Sequence, residues 1–495
     1  MKRVSALWTN NKVRSECRIH GSSDPFLTNL TYNSSEAGPQ IAFVAIKGQR
    51  FDAHQFIKEA IAQGSPLIIH SDPLPKYDPS ALYIAHPHPK RVASLLCRSL
   101  AGPLPQHIIG VTGTDGKSST CDFLYQLLNR CNHPCGLLST VHMDDGTGLK
   151  ESPFRQSTPE APQIYTFLRR CVANGLQTVI LEATSHGLST QEARLIDIPF
   201  SGAVYTTISS EHLDFHQSLE AYISSKMALA DQLQDDGYLI SNATFSQKAL
   251  LQHHGKGKKL LTFALDQSDK KSTVSATTIT SNVDTRVLAI ANHRVKLPYG
   301  QTCYAENALG ALCAAAQVLK QWELPIKALS SLAPIPGRFE RIPNALGAHI
   351  IIDFAHTPDA FERLFAHIRE HFSTHKVIAL FGSAGRRDPS KRFYLGKAAA
   401  TQCNTIYLCN EDPRDEEPQA ILTELKRGIL AAQSSPTVIT IADRKAAINE
   451  AIRNLKANDV LLLLGKGHEK SIEMAHHSIP WSEKEIVLGA LEACR

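Results

Sequence analysis

His107-Ile108-Ile109-Gly110-Val111 runs directly into Thr112-Gly113-Thr114-Asp115-Gly116-Lys117-Ser118-Ser119-Thr120, and a helix-compatible stretch follows from Cys121 to Asn129. The order is strand, glycine loop, helix. Glycines let backbone N–H groups close around phosphate oxygens, and the N-terminus of the next helix adds partial positive charge. Lys117 can meet the β/γ-phosphates while Ser118 or Ser119 reaches Mg²⁺. Gly113, Thr114, Asp115, Gly116, Lys117, Ser118 and Ser119 are therefore candidate ATP contacts. The spacing departs from G-x-x-x-x-G-K-[ST], because Val111 stands five residues before Gly116 and glycines fall at 110 and 113 instead. A chance glycine turn is the bland alternative, and a phosphate loop alone says only nucleotide binding, since kinases, motors and ligases share it.

Outward from this loop, strand-like runs alternate with helical ones. Before it lie an apolar run Gln40 to Ile46, a helical pattern His54 to Ala62 and a second strand Pro66 to His70, a small α/β unit. Ala101-Gly102-Pro103-Leu104-Pro105 is turn-rich and reads as a linker. After the loop come strands Thr178 to Leu181 and Ala203 to Thr206 and a helical stretch Leu219 to Leu233. A second turn-rich segment, Ala333-Pro334-Ile335-Pro336-Gly337, precedes strands at His349 to Asp353, Val377 to Phe381, Thr405 to Cys409 and Val460 to Leu464. Alternation of this kind predicts mainly parallel sheets covered by helices, an α/β class. With 495 residues and about 150 per domain, three domains are expected: 1–104, 105–336 and 337–495.

The 43% apolar and 20% charged residues fit a globular protein able to bury sizeable cores. A net charge of +5 without a basic run argues against a nucleic-acid partner. Asn10, Asn11, Lys12 and Arg14 interrupt any signal-like apolar stretch, and the longest apolar run, Val460 to Leu464, is too short for a membrane span. Eleven dispersed cysteines, an odd number, suit a reducing compartment. A cytoplasmic protein without membrane insertion is expected.

Glu182-Ala183-Thr184-Ser185-His186-Gly187 follows the strand Thr178 to Leu181, placing a carboxylate where a parallel sheet opens toward ligand. Mg²⁺ takes oxygen donors together with phosphate and water, so Glu182 is a candidate ligand; a surface strand-end glutamate is the alternative. The next strand ends in Thr206-Thr207-Ile208-Ser209-Ser210-Glu211-His212-Leu213-Asp214-Phe215-His216, with Tyr222 and Lys226 beyond. His212-x-Asp214-x-His216 reads by itself as a solvated loop or a zinc site, and Lys226 as a surface helical lysine.

Taken in order, Thr112 to Lys117, Glu182 to Gly187 and His212 to His216 resemble the Mur ligase family, and the match to its UDP-N-acetylmuramoyl-tripeptide synthetase branch extends over essentially the whole chain. The resemblance implies a UDP-sugar domain, a central ATPase domain and a C-terminal Rossmann-like domain closing over the site. It implies ATP and Mg²⁺ as cofactors, Lys117, Glu182, His212 and Lys226 as catalytic residues, and Ser118, Glu182, His212 and a carbamylated Lys226 around the metals. UDP-muramoyl contacts would be Ser34, Ser35, Thr158, Pro159, Ser185, Gln191 and Arg194. Gln191 and Arg194 sit two residues later than the family spacing, and Asn33-Ser34-Ser35 stands where the branch often has Asp-Ser-Arg. Asn307, Arg338, Asp353 and His356 would contact the nucleotide, with Tyr304 replacing one asparagine of the pattern.

The same resemblance makes Arg392, Asp412, Arg414, Gly465 and Glu469 the amino-acid contacts. Here the loop reads Glu411-Asp412-Pro413-Arg414, where diaminopimelate-adding enzymes have Asp-Asn-Pro-Arg. An arginine suits a carboxylate through paired donors, and an added negative charge at 412 favours a bare ammonium, as in lysine or ornithine; meso-diaminopimelate is the alternative. The expected reaction is ATP-dependent addition of a diamino acid to UDP-N-acetylmuramoyl-L-alanyl-D-glutamate by a monomer. The rivals are a folylpolyglutamate synthase-like ligase, which should lack the first domain, and a silent nucleotide-binding scaffold.

Overall fold

The structure, a computed structural model, describes residues 1–48, 52–71, 73–154, 156–209, 213–266 and 271–494. Among the described residues three large sheets, of five, eleven and six strands, organise it, beside two small two-stranded ones. In the first, Arg18–His20, Leu82–Ala85, Leu67–His70, Ile41–Ala45 and Asn29–Thr31 lie side by side in that order, parallel except for the first pair. The helical pattern expected from His54 is a 3₁₀ turn, Ala53–Phe56, running into an α-helix, Ile57–Ala62.

The central sheet has, among the described residues, eleven strands. Its parallel middle runs Cys135–Leu138, Thr178–Glu182, His107–Thr112, Phe200–Tyr205, Leu233–Asn242, Lys259–Leu265 and Val274–Ser281. Ile108, Ile109 and Val111 are wholly buried, as expected of a strand covered by helices on both faces. Antiparallel arms extend it at both ends: His142–Asp144 with Lys150–Glu151, and Arg286–Ile290 with His293–Leu297. Gly110 has a packing reason. A Cβ there would meet Leu229 Cδ1 at 2.7 Å, so glycine lets the helix Leu219–Asp231 lie directly against the strand that feeds the loop.

Register then places the chemistry. Glu182 pairs with Val111 and Tyr205 with Thr112, so the ends of three neighbouring parallel strands deliver Glu182, the glycine loop and Thr206–Thr207 to one edge.

The third sheet runs Glu340–Ile342, His349–Asp353, Val460–Leu464, Val377–Phe381, Thr405–Leu408 and Thr437–Thr440, parallel except for the first pair. Asp353 pairs with Leu464, which brings Asp353, the Asn410–Arg414 loop and the Gly465–Glu469 turn to a second strand edge facing the first. Arg444 and Glu483 are both buried at this same strand edge, joined by paired hydrogen bonds, with Arg444 also donating to Leu464 O at 2.9 Å. In the turn-rich segment between the last two sheets, Gly337 has φ +66°, and a Cβ on it would lie 2.2 Å from the His468 backbone nitrogen. Among the described residues no helix is long and apolar enough to cross a membrane.

Candidate active site

A cleft of about 2030 Å³ opens between the three sheets. The glycine loop forms its floor. Gly113 lies against Thr206–Thr207, where a Cβ would fall 1.8 Å from Thr206 Oγ1. Gly116, with φ +85°, lies against Asn307, whose Oδ1 would be 2.5 Å from a Cβ. Both positions require glycine. The Thr114 N–H donates to Thr207 O at 2.6 Å and the Thr206 hydroxyl to Asp115 O at 2.6 Å, fixing the curl. Lys117 Nζ donates to the carbonyls of Gly113 and Thr114 at 3.1 and 2.7 Å, poised over the loop at the start of a fourteen-residue helix. Thr114 to Ser119 all face the cleft; Gly113 lies just beneath.

Beside the loop Glu182 is 3% exposed, and its Oε2 accepts from both the backbone N–H and the hydroxyl of Thr140, at 2.8 and 2.9 Å. Lys226, far from being a surface lysine, is 1% exposed. Its Nζ donates to Gly113 O at 2.6 Å and sits 4.5 Å from the Tyr222 ring centre. His216 packs edge-on against Tyr222, and its buried Nε2 has no hydrogen-bond partner among the described residues. Burial and the Lys226 charge push the His216 imidazole down to about 4. His212 lies outside the described residues. Glu182, Ser118 and the loop N–H groups form an oxygen- and donor-rich set that fits a triphosphate with Mg²⁺.

From the third sheet, Asp353 is held by the N–H groups of Phe339 and Ala355, both at 2.7 Å, and by the Tyr304 hydroxyl at 3.3 Å. Tyr304, read in the sequence as a departure, thus supports a candidate nucleotide contact. Burial raises the Asp353 carboxyl above its ordinary value. Arg338 stacks on Phe354 and donates to Ser118 Oγ at 3.4 Å, so it reaches across to the loop. His356 lines the same wall.

On the other side Thr158, Gln191 and Arg194 line the cleft, with Pro159 and Ser185 buried behind. Arg194 is clamped by Thr158 O, Glu192 and Glu160 at 2.9, 2.6 and 2.8 Å. Ser34 and Ser35 are not brought there. They sit on an outer 3₁₀ turn, their hydroxyls directed to Glu59 and Asn33. The segments that follow the strands of the first sheet reach the cleft instead, with Lys47, Ser71, His88 and Lys90.

The amino-acid segments meet at the far end, where Asp412, Arg414, Gly465 and Glu469 line the wall. Arg392 does not join them. It is 1% exposed and its guanidinium is taken up by Glu416 at 2.6 and 2.8 Å and Glu424 at 3.1 Å, which anchors the Arg414–Glu417 turn from behind. The lone charge expected at Asp412 is also offset: Lys466 Nζ, fully buried, donates to it at 2.9 Å and to Glu469 at 2.6 Å. Burial would pull the Lys466 ammonium down, but those two carboxylates outweigh it and hold it above its ordinary value. Sequence reading also passed over the pair Asp122 and His142, 2.5 Å apart. His142 lines the cleft and Asp122 is buried behind it. Asp122 comes from the helix after the glycine loop and His142 from a strand of the antiparallel arm, so only tertiary packing joins them and neither carried a local signal.

The Mur ligase middle domain family matches residues 111–315 and the Mur ligase glutamate ligase domain family residues 337–467. A UDP-N-acetylmuramyl-tripeptide synthetase from Borreliella afzelii is 36% identical over 490 residues, covering 96% of this chain and 95% of that protein. This chain belongs to the Mur ligase family. Another relative of this Mur ligase, a UDP-N-acetylmuramoyl-L-alanyl-D-glutamate–2,6-diaminopimelate ligase from Phocaeicola vulgatus, is 30% identical, with 95% and 96% of the two chains covered. A solved structure of a ligase with that same 2,6-diaminopimelate name superposes with a TM-score of 0.60 at 26% identity, covering 94% of this chain and 95% of the other.

Proposed function

We propose that this Mur ligase joins a diamino acid to the D-glutamyl carboxylate of UDP-N-acetylmuramoyl-L-alanyl-D-glutamate, consuming ATP, as a monomer in the cytoplasm. One observation carries the reading: a single cleft, walled by all three sheets, brings the glycine loop, Glu182 and the Asp412–Glu469 region within one space. The domains are assigned as UDP-muramoyl-binding (1–104), ATP-binding (105–336) and amino-acid-binding (337–495). A folylpolyglutamate synthase-like ligase should have no use for the five-stranded first sheet.

A carboxylate is a poor acyl donor until its oxygen carries a better leaving group. Transfer of the γ-phosphoryl group of ATP to it, with ADP as the leaving group, creates an acyl phosphate that the incoming amine attacks, releasing phosphate and a proton. Two anions must first be held together, and Lys117 with the loop N–H groups offsets that repulsion. Mg²⁺, when bound by Glu182, Ser118, His212 and Lys226 as its carbamate, supplies further charge neutralisation. Asn307, Arg338, Asp353 and His356 position the nucleotide from the hinge and third domain. Thr158, Ser185, Gln191 and Arg194 hold the muramoyl-peptide, and closure of the third domain excludes water. Arg414 takes the amino acid's carboxylate and Glu469 its ammonium. Lysine or ornithine is favoured over meso-diaminopimelate because an acid stands at 412, a preference that Lys466 narrows.

The test is to incubate the purified chain with ATP, Mg²⁺ and the UDP-muramoyl-dipeptide, separately with lysine, ornithine and meso-diaminopimelate, and to weigh the products. One added amino-acid residue is expected. No product with any of the three overturns the reading.

A further inference from the structure

The C-terminal turns of the helix Pro358–His371 read His367-Ile368-Arg369-Glu370-His371. Positions i, i+3 and i+4 share one helix face. A ring nitrogen from each histidine and a carboxylate oxygen of Glu370 lie within 4.8 Å of one another. The two rings stand edge to face with centres 4.6 Å apart. Arg369 leaves this face, its guanidinium tied to the carbonyls of Gln402 and His375. None of the three lines the catalytic cleft.

Two further observations point to a ligand. His367 is buried, and its Nε2 donates to Val283 O at 3.1 Å. That bond fixes the tautomer and leaves Nδ1 with the lone pair, the arrangement in which metal-binding imidazoles are usually oriented. His371 Nε2 is buried, with no hydrogen-bond partner among the described residues. Burial lowers the His367 imidazole below its ordinary value, against the Val283 hydrogen bond, which raises it. Arg286 is the nearby cation opposing an ion here; Asp266, 3.6 Å from its guanidinium, takes up part of that charge.

We propose that His367, Glu370 and His371 form a binding site for one divalent transition-metal ion of the Zn²⁺ class. Two imidazoles and one carboxylate, with a fourth position left to water, suit that class rather than Mg²⁺ or Ca²⁺, which prefer all-oxygen sets. Ligand distances of about 2.1 Å require only side-chain rotation of the exposed Glu370 and the half-exposed His371. The ion would also fix the ring that grips the carbonyl of Val283, in the turn between the central-sheet strands Val274–Ser281 and Arg286–Ile290.

The test uses metal-stripped full-length protein in excess Mg²⁺, titrated with Zn²⁺ by calorimetry and with Co²⁺ by visible absorption. One ion per chain with Co²⁺ ligand-field bands is expected. His371→Ala and Glu370→Gln should each weaken binding about tenfold or more and alter the bands, while retaining the wild-type circular dichroism; Glu370 is exposed, so its variant keeps the test valid if the other misfolds. Absence of bound ion in the wild type, or unchanged affinity and bands in the variants, overturns the proposal.

Discussion

Asp115 of the glycine loop accepts a 2.7 Å ion-paired hydrogen bond from Arg363, on the helix Pro358–His371 of the third domain. The loop and the third domain are thereby joined directly, with Thr357 Oγ1 adding a contact to the same carboxylate oxygen at 3.3 Å. The Arg363 side chain is 40% exposed, and pairs of this exposure contribute within about 1 kcal/mol to stability. Arg363→Ala should leave the melting temperature nearly unchanged while lowering ATP turnover several-fold, because closure loses a tether. Coupled ADP-release assays beside thermal melts check this; undiminished turnover contradicts it.

Lys226 is the second test. Lys226→Ala should lower turnover by about 10²-fold or more, and small carboxylates such as formate should restore part of it by standing in for the carbamate oxygens. Steady-state assays with and without added carboxylate decide the matter, and a fully active variant refutes the metal-site role.

The Arg444–Glu483 pair makes a prediction about stability. Trp481 Nε1 also donates to Glu483, at 2.8 Å, so removing the carboxylate strands a buried guanidinium. Glu483→Ala should cost about 3–5 kcal/mol in urea denaturation, whereas replacing both partners with apolar residues of similar volume should cost much less. Equal losses in the single and double variants would count against this.

His468 gives a pH dependence. Burial, reinforced by Arg338, His142, Lys466 and Lys470, pushes its imidazole down to about 3. A histidine depressed on folding contributes stability that is full above the unfolded value, about 6.5, and is lost as pH falls from there toward 3. The stability difference between wild type and His468→Gln should therefore be constant above pH 6.5 and move in the variant's favour below it. Denaturation midpoints from pH 4 to 8 measure this, and parallel curves contradict it.

The sequence disclosed what is contiguous. The strand, glycine loop and helix from His107 to Arg130 were legible because each residue's role depends on its immediate neighbours, and Glu182 because it ends an apolar run. Lys226 taken alone looked like a solvated lysine, and only the family resemblance singled it out, since nothing local shows that Gly110, more than a hundred residues earlier, lets its helix press against the central strand. Arg392 was read as a substrate contact because its partners, Glu416 and Glu424, come from a later loop and helix. Asp412 looked uncompensated because Lys466 enters from another strand end. The short antiparallel arms, whose four strands each have five residues or fewer, carry too little periodicity to be seen.

The central claim is that the substrate carboxylate is phosphorylated in this cleft before the amine attacks. UDP-muramoyl-dipeptide carrying ¹⁸O in the D-glutamyl carboxylate should yield inorganic phosphate containing one ¹⁸O for each amide bond formed, read by mass spectrometry. Amide product accompanied by unlabelled phosphate would contradict the account.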